Sequence, residues 1–424
     1  MRTRVATATG WLSAVVVITS ALSACGGDEP SAAPSETESR PAASDTASPS
    51  PSDPNTTPQT PGASPSSPSA SPDVPADCPD QTLARLDLDE KVGQLFMGGV
   101  QVGETPAYVS DDLGAAQVGS LLLIGQLTGG TSASAEAADR GREVAGAPAG
   151  VQPFVATDQE GGLVQHLKGD GFATMPSAEE QSSLPPQQLR SEAQAWGEDL
   201  RTGGIDVNLA PVADVVPEDI GDANQPVGAV QRGYGPDRSV VAAQVAAYVQ
   251  GMNDAGVATA VKHFPGLGKV EGNTDFSSGV VDTRTTRDDA DLEPFAAGLR
   301  AGAPFLMVAL STYEQIDPDR RAVFSPTVID GMVRGDLGFN GVVLSDDLGA
   351  AVEVEDVPPA RRALDFLRAG GDIAIVSTPE LLPEMTEAVI DEAEADAGFA
   401  QLVDEHVLRV LTVKERMGLL TCDG

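Results

Sequence analysis

The sequence predicts an α/β protein, a (β/α)8 barrel of the TIM type, behind a long non-globular N-terminal segment. Three observations predict it. Residues 80–424 carry eight short apolar runs separated by amphipathic stretches. The runs are five to eight residues long and mostly rich in Val, Ile, Leu or Phe, as parallel strands covered on both faces should be. Polar residues capable of chemistry gather where the runs finish, which in a barrel is the C-terminal mouth.

Residues 1–25 read as a processing segment. Arg2 and Arg4 precede an apolar run containing Trp11, Leu12, Val15, Val16, Val17 and Ile18. It ends in Leu22-Ser23-Ala24-Cys25, which resembles a bacterial lipobox, so Cys25 is expected to be lipidated after cleavage. The expected location is outside the cell membrane, held to its outer face by that lipid. No later segment has 18 consecutive apolar residues. Residues 26–79 hold 13 of the 32 prolines among Ser, Ala, Thr, Asp and Glu. Such a stretch buries too little to offset chain entropy and is expected to be a disordered, semi-extended spacer.

The predicted strands are Gly93–Gly99, Gly119–Gly125, Pro153–Thr157, Ile205–Val212, Ala258–His263, Pro304–Ser311, Gly341–Ser345 and Asp372–Ser377. Helical patterns lie between them. Ser325-Pro326 opens one as cap and first-turn proline, and Gly338 closes it. Another runs from about Pro236 to Gly256, with Val241, Val245, Val249 and Met252 on its inner side. An open doubly wound sheet is the competing architecture. If it bound a dinucleotide it would need a Gly-rich turn after its first strand, and Met97-Gly98-Gly99-Val100 lacks that pattern.

Charge and cysteine content narrow the function. With 26 Lys+Arg against 63 Asp+Glu the net charge is −37, which repels phosphate backbones and anionic headgroups. No nucleic-acid partner is expected, and the membrane is reached through the lipid alone. Three cysteines and three histidines leave little capacity for metal, and neither metal nor cofactor is expected. Cys78 and Cys422 flank the globular part, and in an exported protein such a pair reads as a disulfide. A monomer is expected.

The strand ends supply Asp158, Asp214, Lys262, His263, Asp346 and Asp347. Carboxylates, a lysine and a histidine converging on one mouth point to a hydrolase or lyase. Each alone has a plainer explanation; Asp158 or Asp346 could cap the helix that follows.

The segments around these residues resemble glycoside hydrolase family 3. Val261-Lys262-His263-Phe264-Pro265-Gly266-Leu267-Gly268 is similar to its Lys-His-Phe-Pro-Gly-x-Gly signature, and Thr157-Asp158-Gln159-Glu160-Gly161-Gly162 to its Asp-Gln-Glu-Gly-Gly turn. Asn208–Val215, Arg232-Gly233-Tyr234-Gly235 and Gly341–Leu348 follow in the family's order, the last resembling the segment that carries the nucleophile. The resemblance spans about Leu83 to Leu420. A lone barrel is similar to bacterial β-N-acetylglucosaminidases of this family that act on cell-wall fragments.

The resemblance implies a retaining exo-β-glycosidase with Asp346 as nucleophile and Asp158, Arg232, Lys262 and His263 holding sugar hydroxyls. Asp347 competes with Asp346 and is expected to point to the other side of the chain. The two cations are expected to be balanced by Asp158 and Asp346. The acid departs from the family: in place of Asp-Ser-His the chain has Asn273-Thr274-Asp275. Asp275 is then the candidate acid/base if burial raises its pKa, with Glu271 as second candidate. Leu163 stands where the family often has Arg. His166 is expected at the surface, and His406 to be structural. A carbohydrate-binding lipoprotein with weakened catalysis, or a β-glucosidase of the same family, is the alternative reading.

Overall fold

The computed structural model describes residues 77–102 and 107–421. The expected signal segment, most of the spacer, Cys25 and Cys422 lie outside the described residues. Eight strands form the sheet: β1 (Phe96–Gln101), β2 (Ser120–Ile124), β3 (Phe154–Thr157), β4 (Val207–Asn208), β5 (Ala258–Phe264), β6 (Phe305–Val308), β7 (Val342–Ser345) and β8 (Ala374–Val376). All neighbours are parallel, in the order β7-β6-β5-β4-β3-β2-β1-β8. A parallel bridge between Leu344 and Ile373, at the approach to β8, closes the ring. The expected barrel is therefore present.

The covering helices are α1 (Ala107–Ala115), α2 (Gly130–Ala145), α3 (Pro186–Thr202), α4 (Arg238–Asp254), α5 (Glu293–Arg300), a π-wound helix (Thr327–Asp336), α6 (Pro359–Arg368), α7 (Leu382–Ala395) and α8 (Ala397–Arg416). Asp237 caps α4 by accepting the Ser239 N–H at 2.8 Å, and Val241, Val245, Val249 and Met252 are its fully buried stripe. Ser325 accepts the Val328 N–H at 3.2 Å, and Gly338 follows the π-wound helix with φ +62°. The predicted helix is there, but its bonds from Gly331 to Pro326 and from Leu337 to Met332 skip five residues.

Three boundaries differ from expectation. Asp87 and Glu90 form a reciprocal capping box that starts a helix over Leu88–Gly93, so β1 begins at Phe96 and not at Gly93. The run from Ile205 to Val212 pairs as a strand only at Val207–Asn208. Pro211 has no N–H to donate, and pairing returns as a bridge between Val212 and Lys262. At the front, a helix over Cys78–Leu83, capped by Asp77, begins two residues before the boundary expected at residue 80. Cys78 is disulfide-bonded. Its helix packs on α8, and Leu420 bridges to Val151.

The floor of the barrel is apolar. Phe154 of β3 and Phe305 of β6 meet edge to face at 5.3 Å. Below them lies Lys414 of α8, fully buried, its Nζ 5.0 Å from the Phe154 ring centroid. It donates to Gln94 Oε1 at 2.6 Å and to the Gly119 carbonyl at 2.8 Å. Burial pushes its ammonium down to about 7, with Asp206 pulling the other way. Between about 7 and the ordinary 10.5 the unfolded chain then binds more protons than the fold, so this group favours folding more as pH rises. The unfolding free energy of wild type minus that of Lys414→Met, from urea titrations, should increase from pH 7 to pH 10. A difference independent of pH would mean that the ammonium stays charged in the fold.

Candidate active site

The mouth holds a cavity of about 310 Å³ whose polar lining includes Asp158, Arg232, Lys262, His263, Asp275, Asp346 and Asp347. Every residue expected to hold sugar is in it, together with the candidate nucleophile and the first candidate acid.

Asp158 follows β3, and the turn behind it is built from buried amides. Asn208 Oδ1 accepts the Gln159 N–H at 3.0 Å, while Gln159 Oε1 accepts the N–H groups of His166 and Leu167, each at 3.0 Å. Gly161 has φ +105°, and a Cβ there would lie 2.1 Å from the Pro176 carbonyl oxygen. This turn directs Glu160 inward. Lys262, on β5 and 2% exposed, reaches Asp158 Oδ1 at 2.5 Å and Glu160 Oε1 at 2.7 Å. Arg232, on the loop after β4, grips Glu160 with Nε and Nη2, both at 2.8 Å. Burial alone would raise the Glu160 carboxyl, but Arg232 and Lys262 more than offset it and hold it well below the usual carboxylate range. Burial opposes the charge on Lys262 as well, and Asp158 and then Glu160 raise its pKa despite Arg232.

The expected charge balance is thus corrected. Glu160, together with Asp158, neutralises the cations; no ion pair runs to Asp346 among the described residues. Sequence reasoning quoted Glu160 within its motif but gave it no role. The available signal was a carboxylate two residues beyond a strand-end Asp and ahead of two glycines.

His263 Nδ1 lies 2.8 Å from Asp214 Oδ2, and its Nε2 lies 3.4 Å from Arg232. Asp214 is fully buried and also accepts the N–H groups of His263 and Leu267. It fixes the ring and the start of the next loop together. Gly268 lies so near the Val215 carbonyl that a Cβ would approach to 1.8 Å, which accounts for the second glycine of that signature.

Asp346 and Asp347 follow β7 and have separate duties. Asp346 is half-buried, and its Oδ1 accepts the Asp347 N–H at 2.9 Å. Asp347 also lines the cavity, contrary to the expectation from alternation. Its carboxylate is used structurally, accepting the N–H groups of Gly349 at 2.8 Å, Ala350 at 3.1 Å and Ser377 at 2.9 Å, and the Ser377 hydroxyl. It clasps the ends of β7 and β8. Asp346 is therefore the carboxylate left available.

The loop after β5 brings Asp275 to the cavity and leaves Glu271 away from it. Asn273 Oδ1 accepts the Asp275 N–H at 2.9 Å, and the Asn273 carbonyl accepts from Phe276 and Ser277. The Glu353 N–H, just beyond Asp346 along the chain, donates to the Thr274 carbonyl at 3.0 Å and docks this turn. The Asp275 side chain is open to solvent at the cavity mouth, yet the protein packed around it and then the charge of Asp346 raise its carboxyl to about 6, with Arg232 and His263 pulling the other way. Glu271 is exposed and is not among the cavity-lining residues. His166 is half-buried, with Nδ1 2.9 Å from the Gly125 carbonyl. His406 is buried beside Asp372 at 2.8 Å, a structural pairing as expected. Among the described residues no group of three or more His, Cys, Asp or Glu side chains gathers to hold a metal, and no helix is long and apolar enough to cross a membrane.

The sequence model of the glycosyl hydrolase family 3 N-terminal domain matches residues 87–413. The chain belongs to glycosyl hydrolase family 3. A family 3 chain with this mouth is a glycoside hydrolase. A crystal structure of a β-N-acetylhexosaminidase from Beutenbergia cavernae aligns with TM-score 0.76 and 44% identity, over 78% of this chain and 99% of that one. A family 3 β-N-acetylglucosaminidase from Paenibacillus sp. aligns with TM-score 0.72 and 27% identity, over 80% of this chain and 64% of that one. A β-hexosaminidase from Stenotrophomonas maltophilia is 38% identical over 264 residues, 60% of this chain and 76% of that protein.

Glu160 is the keystone of the family 3 mouth in this chain. Glu160→Ala leaves half-buried Arg232 without its carboxylate and buried Lys262 with Asp158 alone, and should cost about 3–5 kcal/mol in unfolding free energy. Because the folded-state pKa of Glu160 is depressed, its contribution is complete above the ordinary carboxylate value and is lost as pH falls below it. The gap between wild type and variant should therefore narrow on acidification below about pH 4. Chemical denaturation at pH 7 and pH 3 measures both; an equal gap at the two pH values contradicts the assignment.

Proposed function

We propose that the chain is a retaining exo-β-N-acetylhexosaminidase in which Asp346 is the nucleophile and Asp275 the acid/base. The observation that carries it is the pairing, across one cavity, of a carboxylate left available at a strand end with a second carboxyl raised to about 6. In the first step Asp346 attacks the anomeric carbon and forms a glycosyl ester. The bond from that carbon to the leaving oxygen breaks, and Asp275 gives the oxygen its proton. In the second step water attacks the anomeric carbon, Asp275 takes its proton, and the Asp346 carboxylate leaves. A pKa near 6 suits both duties, because the group is held protonated for the first step and ionises readily for the second. Asp158, Arg232, Lys262 and His263 hold the sugar hydroxyls. The names of the hexosaminidase relatives support the choice of sugar.

The same proposal places the protein outside the cell membrane, lipid-anchored through Cys25 and acting as a monomer on cell-wall-derived or related β-glycosides. The support for export and anchoring is the sequence of residues 1–79. The proposed partner of Cys78 is Cys422, and thiol titration of the exported, non-reduced protein tests it.

Asp346→Asn should lower turnover about 10³-fold or more without unfolding the barrel, and a fluorinated sugar should label Asp346. Label on Asp347 would overturn the assignment. For substrates with poor leaving groups, kcat/KM should fall as pH rises through about 6, where Asp275 loses its proton. Asp275→Ala should remove that limb and slow poor leaving groups far more than activated aryl glycosides, whose second step added azide should rescue. Glu271→Ala should do neither. Equal slowing of good and poor leaving groups would remove Asp275 from the acid role.

A further inference from the structure

The glycosidase reading gives Asp275 a role but does not say what holds its loop in place. That loop leaves β5 after Phe264 and runs to Val280. Its glycines serve close packing. Gly268 lies against the Val215 carbonyl, and a Cβ on Gly272 would come within 3.0 Å of Val280 Cγ2. Leu267, Val270 and Thr274 of the same loop are buried.

One fully buried side chain, Asn224, joins this loop to the loop after β4. Its Oδ1 accepts the N–H groups of Val227 at 3.0 Å and Gly228 at 2.8 Å, which closes a turn of its own loop. Its Nδ2 donates across to the carbonyls of Leu267 and Val270, each at 2.7 Å. Both donors and both lone pairs are used, and the reversed amide would set donor against donor. The oxygen alone would suffice for the turn; the nitrogen serves the other loop. Beside it the Gln225 N–H donates to the Glu271 carbonyl at 3.1 Å.

The two loops carry facing parts of the mouth. Arg232 stands on the turn that Asn224 closes: its N–H donates to the Val227 carbonyl at 3.0 Å and its Nη1 to the Pro226 carbonyl at 2.8 Å. Asp275 stands on the loop that Asn224 grips, five residues beyond Val270. Both Arg232 and Asp275 line the cavity. We infer that Asn224 is a positioning residue for the acid/base step: its amide, bonded across the two loops, sets where the Asp275 carboxyl stands relative to the sugar-holding side of the mouth. This inference rests on the glycosidase reading and deepens it with a residue outside the cavity lining. Proton transfer needs hydrogen-bond reach to the leaving oxygen, so a small displacement of the loop penalises the substrates that need the proton most.

The test uses the full chain, with the neutral N-acetylglucosamine disaccharide as the poor leaving group and an activated aryl N-acetyl-β-glucosaminide as the good one. Asn224→Asp keeps an acceptor for Val227 and Gly228 but has no N–H for Leu267 or Val270; Asn224→Ala loses both halves. In both variants kcat/KM for the disaccharide should fall about 10- to 100-fold, and for the aryl glycoside about threefold or less. Labelling of Asp346 by an activated fluorinated sugar, which needs no acid, should keep its wild-type rate. Lys269→Met loosens the same loop elsewhere, where Lys269 meets Asp289 at 2.6 Å and Asp291 at 2.8 Å. It should show the same selectivity to a smaller degree, and it decides the question if the Asn224 variants do not fold. Ser134→Ala loses a buried hydrogen bond to the Gly203 carbonyl, away from the cavity lining, and should leave both rates unchanged. Wild-type rates in Asn224→Asp would overturn the inference, confining the amide to its own turn. Equal slowing of both substrates in the variants that fold would overturn it as well. Absence of turnover by wild type on every glycoside would instead strike the glycosidase reading, and an Asp275→Ala variant without leaving-group dependence would strike the acid assignment.

Discussion

The mouth of this barrel depends on Glu160. Two long cationic side chains, Lys262 and Arg232, are drawn out of water to where a substrate can be gripped, and an unbalanced ammonium or guanidinium there would unfold the site. Glu160 meets both, one oxygen shared between Lys262 and Arg232 and the other held by Arg232, while Asp158 takes the remaining side of Lys262. The end of β3, the end of β5 and the loop after β4 are thereby locked into one unit. Their hydrogen-bond donors are rigid and already neutralised, which matches a sugar, a ligand with many hydroxyls and no charge.

A second set of polar contacts holds the reacting groups to this frame. Asp347 clasps β7 to β8 through the Ser377 and Gly349 N–H groups, and Asp346 follows passively as the residue before it. Buried Glu353 ties the loops after three strands together. Its N–H holds the turn of Asp275, while its carboxylate accepts the Val280 N–H and the Arg321 Nε, each at 2.9 Å. In the proposed mechanism the chemistry rests on Asp346 and Asp275, each set beside a segment that other residues hold in place.

Much of this was legible in the sequence, for physical reasons. Strands covered on both faces must be nearly all apolar, so the eight runs stood out, and the residues after them had to be at the mouth. Boundaries were less legible where local chemistry competed with the pattern. The run at Gly93 belongs to a helix because Asp87 and Glu90 cap it, a contact invisible to hydropathy. Pro211 cut β4 short although its surroundings are apolar. The direction of individual carboxylates was the hardest to read. Glu160 lies in a three-residue hairpin strand whose register shifts, and Asp347 and Asp275 lie in loops, so alternation does not carry over from the barrel strands, and only the fold decides that the first balances cations, the second clasps strands and the third reaches the cavity. Glu271 and Asp275 could not be separated by composition; the bond from Glu353 to Thr274 separates them.

Lys414 has a consequence for the order in which this molecule can be completed. It sits on the last of the described helices, yet its contacts with Gln94, Gly119 and Phe154 are all to the first three strands and their approaches. As the chain emerges from its N-terminal end, those early strands must wait with an open underside for more than two hundred residues until the helix that plugs them arrives. Without α8 the barrel has a wet floor, and the last turn of that helix is the stopper that makes its interior dry.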